Sequence, residues 1–279
     1  MNIHKTIAVL LTCHNRKVKT ISCLKSLYEA TLPKGFSLEI FLVDDGSVDG
    51  TFEAVKKEFS KVKIVKGDGT LFWSRGMHTA WKAAAKHKAY DLYLWINDDT
   101  VLFKNALQII LQAAQETNFS SIVCGNTCSE IDGSITYGGR GNTNEAGILV
   151  PNGQLQECTI INGNFLLVPK IIYETIGNID WAFRHAIGDF DYGLRAIKSG
   201  FKNYVAYAYV GTCELNPTLP KWCLKETPIK KRFELLYSPL GYAEPIPFFI
   251  YEKRHFGLLT AIKHFITINL RALIPQLWK

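Results

Sequence analysis

The first 120 residues alternate short apolar runs with helix-period segments, and that alternation constrains the fold more than any other feature of the chain. Runs at 7–11, 38–43, 62–65 and 92–96 read as buried strands, while 18–28, 50–59, 77–87 and 104–116 carry helical spacing. Strand and helix in this order predict an α/β fold, Rossmann-like, with a mostly parallel central sheet and helices on both faces. In open sheets of this kind ligands collect outside the carboxyl ends of the strands. The residues after Leu11, Val43 and Ile96 are therefore expected to share one crevice. With 279 residues, 47% of them hydrophobic, the chain can bury the core such a fold requires.

The second half changes character. Residues 122–165 are rich in Gly, Asn and Thr, including the run Gly138-Gly139-Arg140-Gly141-Asn142-Thr143-Asn144, and read as short strands and long loops suited to contacting substrate. A helical pattern returns over 189–199 and stops at Gly200. These shifts suggest three segments: 1–120, 121–220 and an extension (221–279). The extension holds ten basic residues against four acids, nearly all of the chain's net charge of +7. That mild excess is far below the loading of a dedicated nucleic-acid binder, so no nucleic-acid partner is expected.

Seven cysteines form an odd set without a Cys-x-x-Cys pair, which speaks against a zinc site or a secreted disulfide framework. The opening residues run straight into a strand pattern too short for the apolar core of an export signal. A reducing, cytoplasmic setting is expected. The longest apolar stretch, 257–278, is interrupted by Lys263, His264 and Arg271 and is no membrane span. On a helical wheel Leu258, Leu259, Ile262, Ile266, Leu270, Leu273 and Leu277 share one face, with Phe265, Ile268 and Ile274 outside it. Two readings follow: a helix packed on the core, or one lying in a membrane interface, aided by Lys230-Lys231-Arg232, Lys253-Arg254 and Trp278.

Three acidic clusters carry the chemistry. Asp44-Asp45 and Asp98-Asp99 each follow a buried strand, where a carboxylate is costly without solvent, a cation or a donor. Asp44-Asp45-Gly46-Ser47 also reads as a turn. Adjacent acids at 98 and 99 repel, and a hard divalent ion shared with a nucleoside diphosphate is the usual relief. Asp189 and Asp191 open a helix, where acids serve as caps. They cannot share a helical face, so one is expected to cap while the other points into the crevice.

Together these segments resemble the inverting family 2 glycosyltransferases of GT-A fold. The resemblance rests on Thr12-Cys13-His14-Asn15-Arg16, on Val43-Asp44-Asp45-Gly46-Ser47-Val48-Asp49-Gly50-Thr51, on Asn97-Asp98-Asp99 at the Asp-x-Asp position, and on Asp189-x-Asp191 with Leu194-Arg195. It spans residues 6 to about 212 and implies a nucleotide-binding half (1–120) and an acceptor and catalytic half (121–220), with Asp191 on the acceptor side. It implies that Thr12, Asn15, Arg16 and Asp44 or Asp45 contact a UDP- or TDP-type donor, with Arg75 reaching nucleotide or phosphate. Asp98 becomes the ribose-side acid, Asp99 the ligand of Mg²⁺ or Mn²⁺, and Asp189 the general base that takes the acceptor's proton. Leu71-Phe72-Trp73 resembles a subgroup that assembles bacterial surface polysaccharide, which implies a glycan acceptor on a lipid carrier at the inner face of the plasma membrane. Trp73 is then a donor-sugar contact and Trp181 an acceptor-side one, although either aromatic also suits a core.

Three positions depart from the family pattern. Asn97 replaces the first acid of Asp-x-Asp, Gly188 replaces the Glu before the base, and no histidine falls in the stretch of Tyr207, Tyr209 and Gly211. His14, His78 and His185 are expected to be polar contacts rather than acid/base groups, and Cys13 an inert thiol. The alternatives are a sugar nucleotidyltransferase, although no Gly-rich basic loop follows the first strand, and a degenerate nucleotide- or glycan-binding module.

Overall fold

A computed structural model of the chain describes residues 4–141, 147–215 and 220–277. Asn142-Thr143-Asn144 of the Gly-rich run and Trp278 of the tail lie outside the described residues. The first half forms β1 (Lys5–Cys13), α1 (Lys17–Glu29), β2 (Phe36–Asp44), α2 (Thr51–Glu58), β3 (Lys63–Lys66), α3 (Phe72–His87), β4 (Leu92–Ile96), the short β5 (Val101–Leu102) and α4 (Ala106–Glu116). There follow β6 (Ile122–Cys128), β7 (Ile135–Tyr137), β8 (Gln156–Cys158), β9 (Phe165–Pro169), α5 (Lys170–Ile176), α6 (Gly188–Lys198) and β10 (Asn203–Thr212). The extension folds as α7 (Ile229–Leu236), α8 (Pro245–Phe256) and α9 (Leu258–Leu273).

One sheet runs through the molecule in the order β3-β2-β1-β4-β9-β6-β10-β5, with β7 beside β6 and β8 beside β10. β3, β2, β1 and β4 are parallel, as the alternation predicts. The sheet then becomes mixed, because β9 runs antiparallel to both β4 and β6. Side chains alternate across β1: Ile7, Val9 and Leu11 pack with Leu24 and Leu27 of α1 and Ile110 of α4, while Ala8 and Leu10 face Met77, Ala80 and Trp81 of α3. Tyr192 of α6 joins that second layer against Trp81 and Trp95. Helices thus cover both faces, and β1, β2 and β4 end on one edge, where Thr12, Asp45 and Asp98 meet.

α3 begins five residues before the helical pattern predicts. The cause is tertiary: the Asp45 carboxylate accepts from the backbone N–H groups of Leu71 (3.0 Å) and Phe72 (2.9 Å), anchoring the helix start from another strand end. The helix also approaches β1 closely at Gly76, where a Cβ would overlap the Thr12 side chain.

α9 packs with the face opposite to the one its apolar stripe marks. Ala261, Phe265, Ile268 and Ala272 turn inward, Phe265 against Phe249 of α8 and Ala272 against α7. Arg232 of α7 donates to the carbonyls of Ala272 (2.7 Å) and Leu273 (3.3 Å). Leu258, Leu259, Ile262, Ile266, Leu270, Leu273 and Leu277 are exposed, Leu259 to 83%. The core-packing reading of that stripe is corrected: small and aromatic residues fit the tight contact with α7 and α8, and the large aliphatic row is left outside. Among the described residues no helix is long and apolar enough to cross a membrane.

The contact at Gly76 yields a stability prediction. Gly76→Ala is expected to destabilise the fold by about 1–3 kcal/mol, the usual cost of overpacking. Gly147→Ala, at a position open to space, is expected to change stability by less than about 0.5 kcal/mol. Urea denaturation of both variants checks the pair.

Candidate active site

A cavity of about 710 Å³ opens at the carboxyl edge of the parallel strands. Thr12, Arg16, Asp45, Asp98 and Asp99 form its wall on the side of the first half, and Trp73 joins them. Asp189, at the start of α6, lies in the wall contributed by the second half. Leu240, Tyr242 and Phe248, from the extension, complete the lining.

Of the adjacent acids Asp44 and Asp45, it is Asp45 that reaches the cavity. Its oxygens accept from the backbone of Gly69 (2.8 Å), Leu71 and Phe72. Asp44 turns away and closes a local turn by accepting from Ser47 N (3.0 Å), the role its Asp-Gly-Ser context suggests. Asn15 is likewise outside the lining. It sits at φ +51° and accepts from Val48 N (2.8 Å), tying the loop after β1 to the loop after β2. Arg75 also misses the cavity: it donates to the Trp181 carbonyl (3.0 Å) and stacks on the half-exposed Trp181 ring, 4.9 Å from its centroid. Arg75 and Trp181 thus form one surface pair, outside the cavity lining.

Arg16 bridges the two acids after β4, its Nη1 on Asp98 Oδ1 (2.9 Å) and its Nη2 on Asp99 Oδ2 (2.5 Å). Lys19 Nζ lies 3.7 Å from the same Asp99 oxygen. Burial pushes the Asp98 carboxyl up to about 7, against the pull of Arg16 and with the push of Asp99. Asp99 is the more open of the two, its side chain 18% exposed. Among the described residues no three His, Cys, Asp or Glu side chains cluster as a metal cage. The donor set nevertheless suits a magnesium- or manganese-type ion, which needs only one or two protein carboxylates when a diphosphate supplies further oxygens.

The three departures from the family pattern have local explanations. Asn97 accepts from the Trp73 indole N–H (2.7 Å), so the amide fixes the aromatic ring in the cavity wall. A Cβ at Gly188 would meet Ser74 Oγ at 2.6 Å, leaving no room for the Glu of the pattern. In place of a histidine near Asp99 stands Cys213, just past β10, whose Sγ lies 3.6 Å from Asp99 Oδ1. Its thiol is pushed up to about 12, first by burial. All seven cysteines are buried and unpaired, Cys13 among them.

Asp189 is buried yet lines the cavity. Its Oδ2 accepts from Gly163 N (2.9 Å) and its Oδ1 from Phe190 N (2.9 Å). A Cβ at 163 would overlap Trp73, so only glycine lets this loop pass between the tryptophan and Asp189. Burial raises the Asp189 carboxyl to about 6, with the two backbone donors pulling the other way. A carboxylate in that range is suited to accept a proton near neutral pH.

Asp191 neither caps α6 nor faces the acceptor side. The helix start has no side-chain cap, and Asp191 is fully buried behind the cavity, where Arg195, Arg254 and His255 donate to it. Of the histidines, His78 contacts the Ile179 carbonyl (2.7 Å) and His14 the Asp45 carbonyl (2.5 Å). His185 lines the cavity between Phe72 and Tyr242, and burial followed by the Arg16 charge lowers it to about 4, leaving it neutral at pH 7. Sequence reasoning missed Gly163 and the lining residues of the extension; only the crowding at Trp73 and the packing of α8 identify them.

The family profile described as Glycosyl transferase family 2 matches residues 8–169, more than half of the chain. No curated protein matches the sequence significantly. Among solved structures the chain is similar to S. aureus TarS 1-349 in complex with UDP, at 16% identity and a TM-score of 0.56, over 90% of this chain and 72% of that one. It is also similar to GalNAc-T7 with UDP, GalNAc and Mn²⁺, at 13% identity and a TM-score of 0.59, over 95% of this chain but 55% of the other. At such identities the likeness speaks for the fold, a GT-A glycosyltransferase core, while the profile speaks for descent: the chain belongs to glycosyl transferase family 2.

Proposed function

We propose that the chain transfers a sugar, with inversion, from a UDP- or TDP-type nucleotide sugar to a glycan hydroxyl on a lipid carrier, in the assembly of a bacterial surface polysaccharide. The observation that carries this reading is the placement of Asp189. It shares one cavity with Thr12, Asp45, Asp98 and Asp99, yet comes from the second half of the chain, and burial has lifted its carboxyl into the range of a working base. In a single displacement the acceptor oxygen bonds to the anomeric carbon as the bond to the diphosphate breaks, and Asp189 takes the acceptor's proton. Thr12 and Asp45 face the base of the nucleotide, Asp98 the ribose, and Trp73 the donor sugar. Trp181, with Arg75 on its face, offers a stacking surface for the acceptor.

Asp99 is the residue that would hold Mg²⁺ or Mn²⁺, with Arg16 the competing cation on the same oxygen. Such an ion, when bound, neutralises charge on the departing diphosphate. The bound UDP in both similar structures and the Mn²⁺ in one support this reading. Membership in the family favours transfer over sugar-nucleotide synthesis, and a binding-only module would leave the placement of Asp189 unexplained.

In the same reading residues 1–220 form the catalytic part, divided near 120, and 221–279 attach it to the cytoplasmic face of the membrane. The exposed row on α9, with Lys253, Lys263 and Arg271 also exposed nearby, suits an interface rich in anionic lipid.

Asp189→Asn tests the base. Turnover of the best substrate in a panel of UDP- and TDP-hexoses is expected to fall by roughly 10²–10⁴, with UDP affinity unchanged. The native acid limb of kcat is expected near pH 6, because a raised carboxyl must lose its proton to act. The same shift makes the ionised folded state less stable above that pH, so Asp189→Asn should melt at or above the native temperature at pH 8 and lose that advantage below pH 4. Full activity in this variant rejects the assignment.

For the metal, UDP binding by calorimetry in Mn²⁺ is expected to weaken at least about tenfold in Asp99→Asn, or on adding EDTA to the native protein. Equal affinity under all three conditions removes Asp99 from that role.

The attachment reading is checked by flotation with vesicles containing phosphatidylglycerol. Leu259→Ser/Ile262→Ser/Ile266→Ser is expected to release the protein while UDP affinity stays native, since these side chains are exposed. Retention on the vesicles counts against the α9 face.

A further inference from the structure

The extension does more than flank the cavity; it grips the helix that carries the base. Asp191, two residues beyond Asp189, is a fully buried carboxylate with three charged or polar donors from two helices. Arg195, on α6 itself, donates through Nε to Oδ2 (2.8 Å) and also binds the carbonyls of Ile176 (2.7 Å) and Asn178 (2.9 Å). From α8, Arg254 donates through Nη1 to Asp191 Oδ1 (2.8 Å) and through Nη2 to Asp180 Oδ2 (2.6 Å), while His255 Nε2 meets Asp191 Oδ1 at 2.8 Å. Burial opposes the charge on Asp191, but His255 and the two guanidinium groups hold its carboxyl below the ordinary range.

The turn into α6 needs such a grip. Ile187 lies at φ +60°, the left-handed region that a β-branched residue avoids. Strain of this kind persists only where the surroundings over-determine it, and it gathers at functional sites. The surroundings here belong to the extension: Ile187 packs with Phe183, Phe248 and Tyr251, the last two on α8. Asp191 N closes the turn on the Ile187 carbonyl (2.9 Å). Upstream, Arg184 pairs with Glu244 and donates to the Tyr237 carbonyl (3.2 Å), so the loop before the helix is tied to the extension as well.

We propose that Arg254 and His255 of α8 are positioning residues for the Asp189 base, acting through Asp191 and the strained turn at Ile187. The inference rests on the reading of Asp189 as base. Neither residue touches the cavity, and the proton never passes through them. They set where the Asp189 carboxylate stands relative to Gly163 N and to an acceptor hydroxyl. A displacement of about 1 Å at a reacting group costs about 10²-fold in rate. The nucleotide-side residues Thr12, Asp45, Asp98 and Asp99 lie on other elements and feel no such shift.

The test uses the full chain. Arg254→Met, Arg254→Lys, His255→Leu and His255→Gln are compared with native protein and Asp189→Asn for kcat and donor KM on the best nucleotide sugar of the UDP/TDP-hexose panel, for UDP affinity and for melting temperature. Arg254→Met and His255→Leu are expected to lose about 10- to 100-fold in kcat with UDP affinity within about twofold of native. His255→Gln keeps a donor near the Nε2 position and is expected to recover most of the loss. Arg254→Lys keeps the charge but cannot bond both Asp180 and Asp191, so an intermediate rate is expected. Native kcat alongside a lowered melting temperature overturns the inference, as does a parallel fall in kcat and UDP affinity. If Arg254→Met gives no folded protein, Arg254→Lys and His255→Gln decide by the same measures: native rate in Arg254→Lys, or no better rate in His255→Gln than in His255→Leu, rejects the positioning role. Full activity in Asp189→Asn sinks the base assignment itself, whereas an inactive Asp189→Asn beside fully active Arg254 and His255 variants sinks only this inference.

Discussion

A carboxylate delivered by a buried strand has to be met by donors, and the way Asp45 meets this requirement organises much of the site. Three backbone N–H groups at Gly69, Leu71 and Phe72 converge on it and fix where α3 begins. That start aims Trp73 at Asn97, whose amide oxygen takes the indole proton. Trp73 in turn presses on Gly163, and Gly163 N donates to Asp189. A chain of direct contacts thus runs from Asp45 along the cavity wall to Asp189. Each link removes freedom from the next, which is how a site assembled from distant segments stays pre-organised.

Asp98, Asp189 and Asp191 are all buried in or beside the cavity, and their surroundings separate them. Asp191 has two guanidinium groups and an imidazole and stays below the ordinary carboxyl range despite its burial. Asp189 has only backbone donors within reach, so burial prevails and lifts it to about 6. Asp98 has a guanidinium, but Arg16 is shared with Asp99, and the neighbouring acid adds its repulsion to burial, lifting Asp98 to about 7. Burial alone does not set protonation; the charges and donors around each carboxylate act against or with it. One fold therefore keeps a carboxyl held below the ordinary range and one raised above it two residues apart on the same helix.

The parallel half of the sheet was legible because buried strands read as continuous apolar runs, and the predicted spans at 7–11, 38–43 and 92–96 lie within β1, β2 and β4. Local pattern ran out wherever the deciding partner is remote in sequence. The start of α3 depends on Asp45, so periodicity alone placed it at Met77 instead of Phe72. Whether Asp44 or Asp45 enters the cavity depends on the pleat and on which backbone donors lie opposite, and two adjacent aspartates look alike in sequence. Asp191 was read as a cap or an acceptor contact because acids at a helix start usually cap. Its partners Arg254 and His255 lie more than sixty residues away, and nothing local announces them.

The α9 helix shows a different limit. Amphipathic spacing divides a helix into faces but does not say which face is covered, since burial depends on the shape of the neighbour as well as on hydrophobicity. Against α7 and α8 the inward positions are Ala261, Phe265, Ile268 and Ala272, two of them alanines that allow close approach. The bulky row from Leu258 to Leu277 points outward because the tight side has no room for it. Exposing that much aliphatic surface to water has a cost, which a soluble monomer would ordinarily relieve by polar substitution. The same extension that presents this row also supplies Phe248 and Tyr251 to the turn at Ile187 and Arg254 to Asp191. The exposed aliphatic row and the support of the turn into α6 are therefore parts of one packed unit, joined through α8.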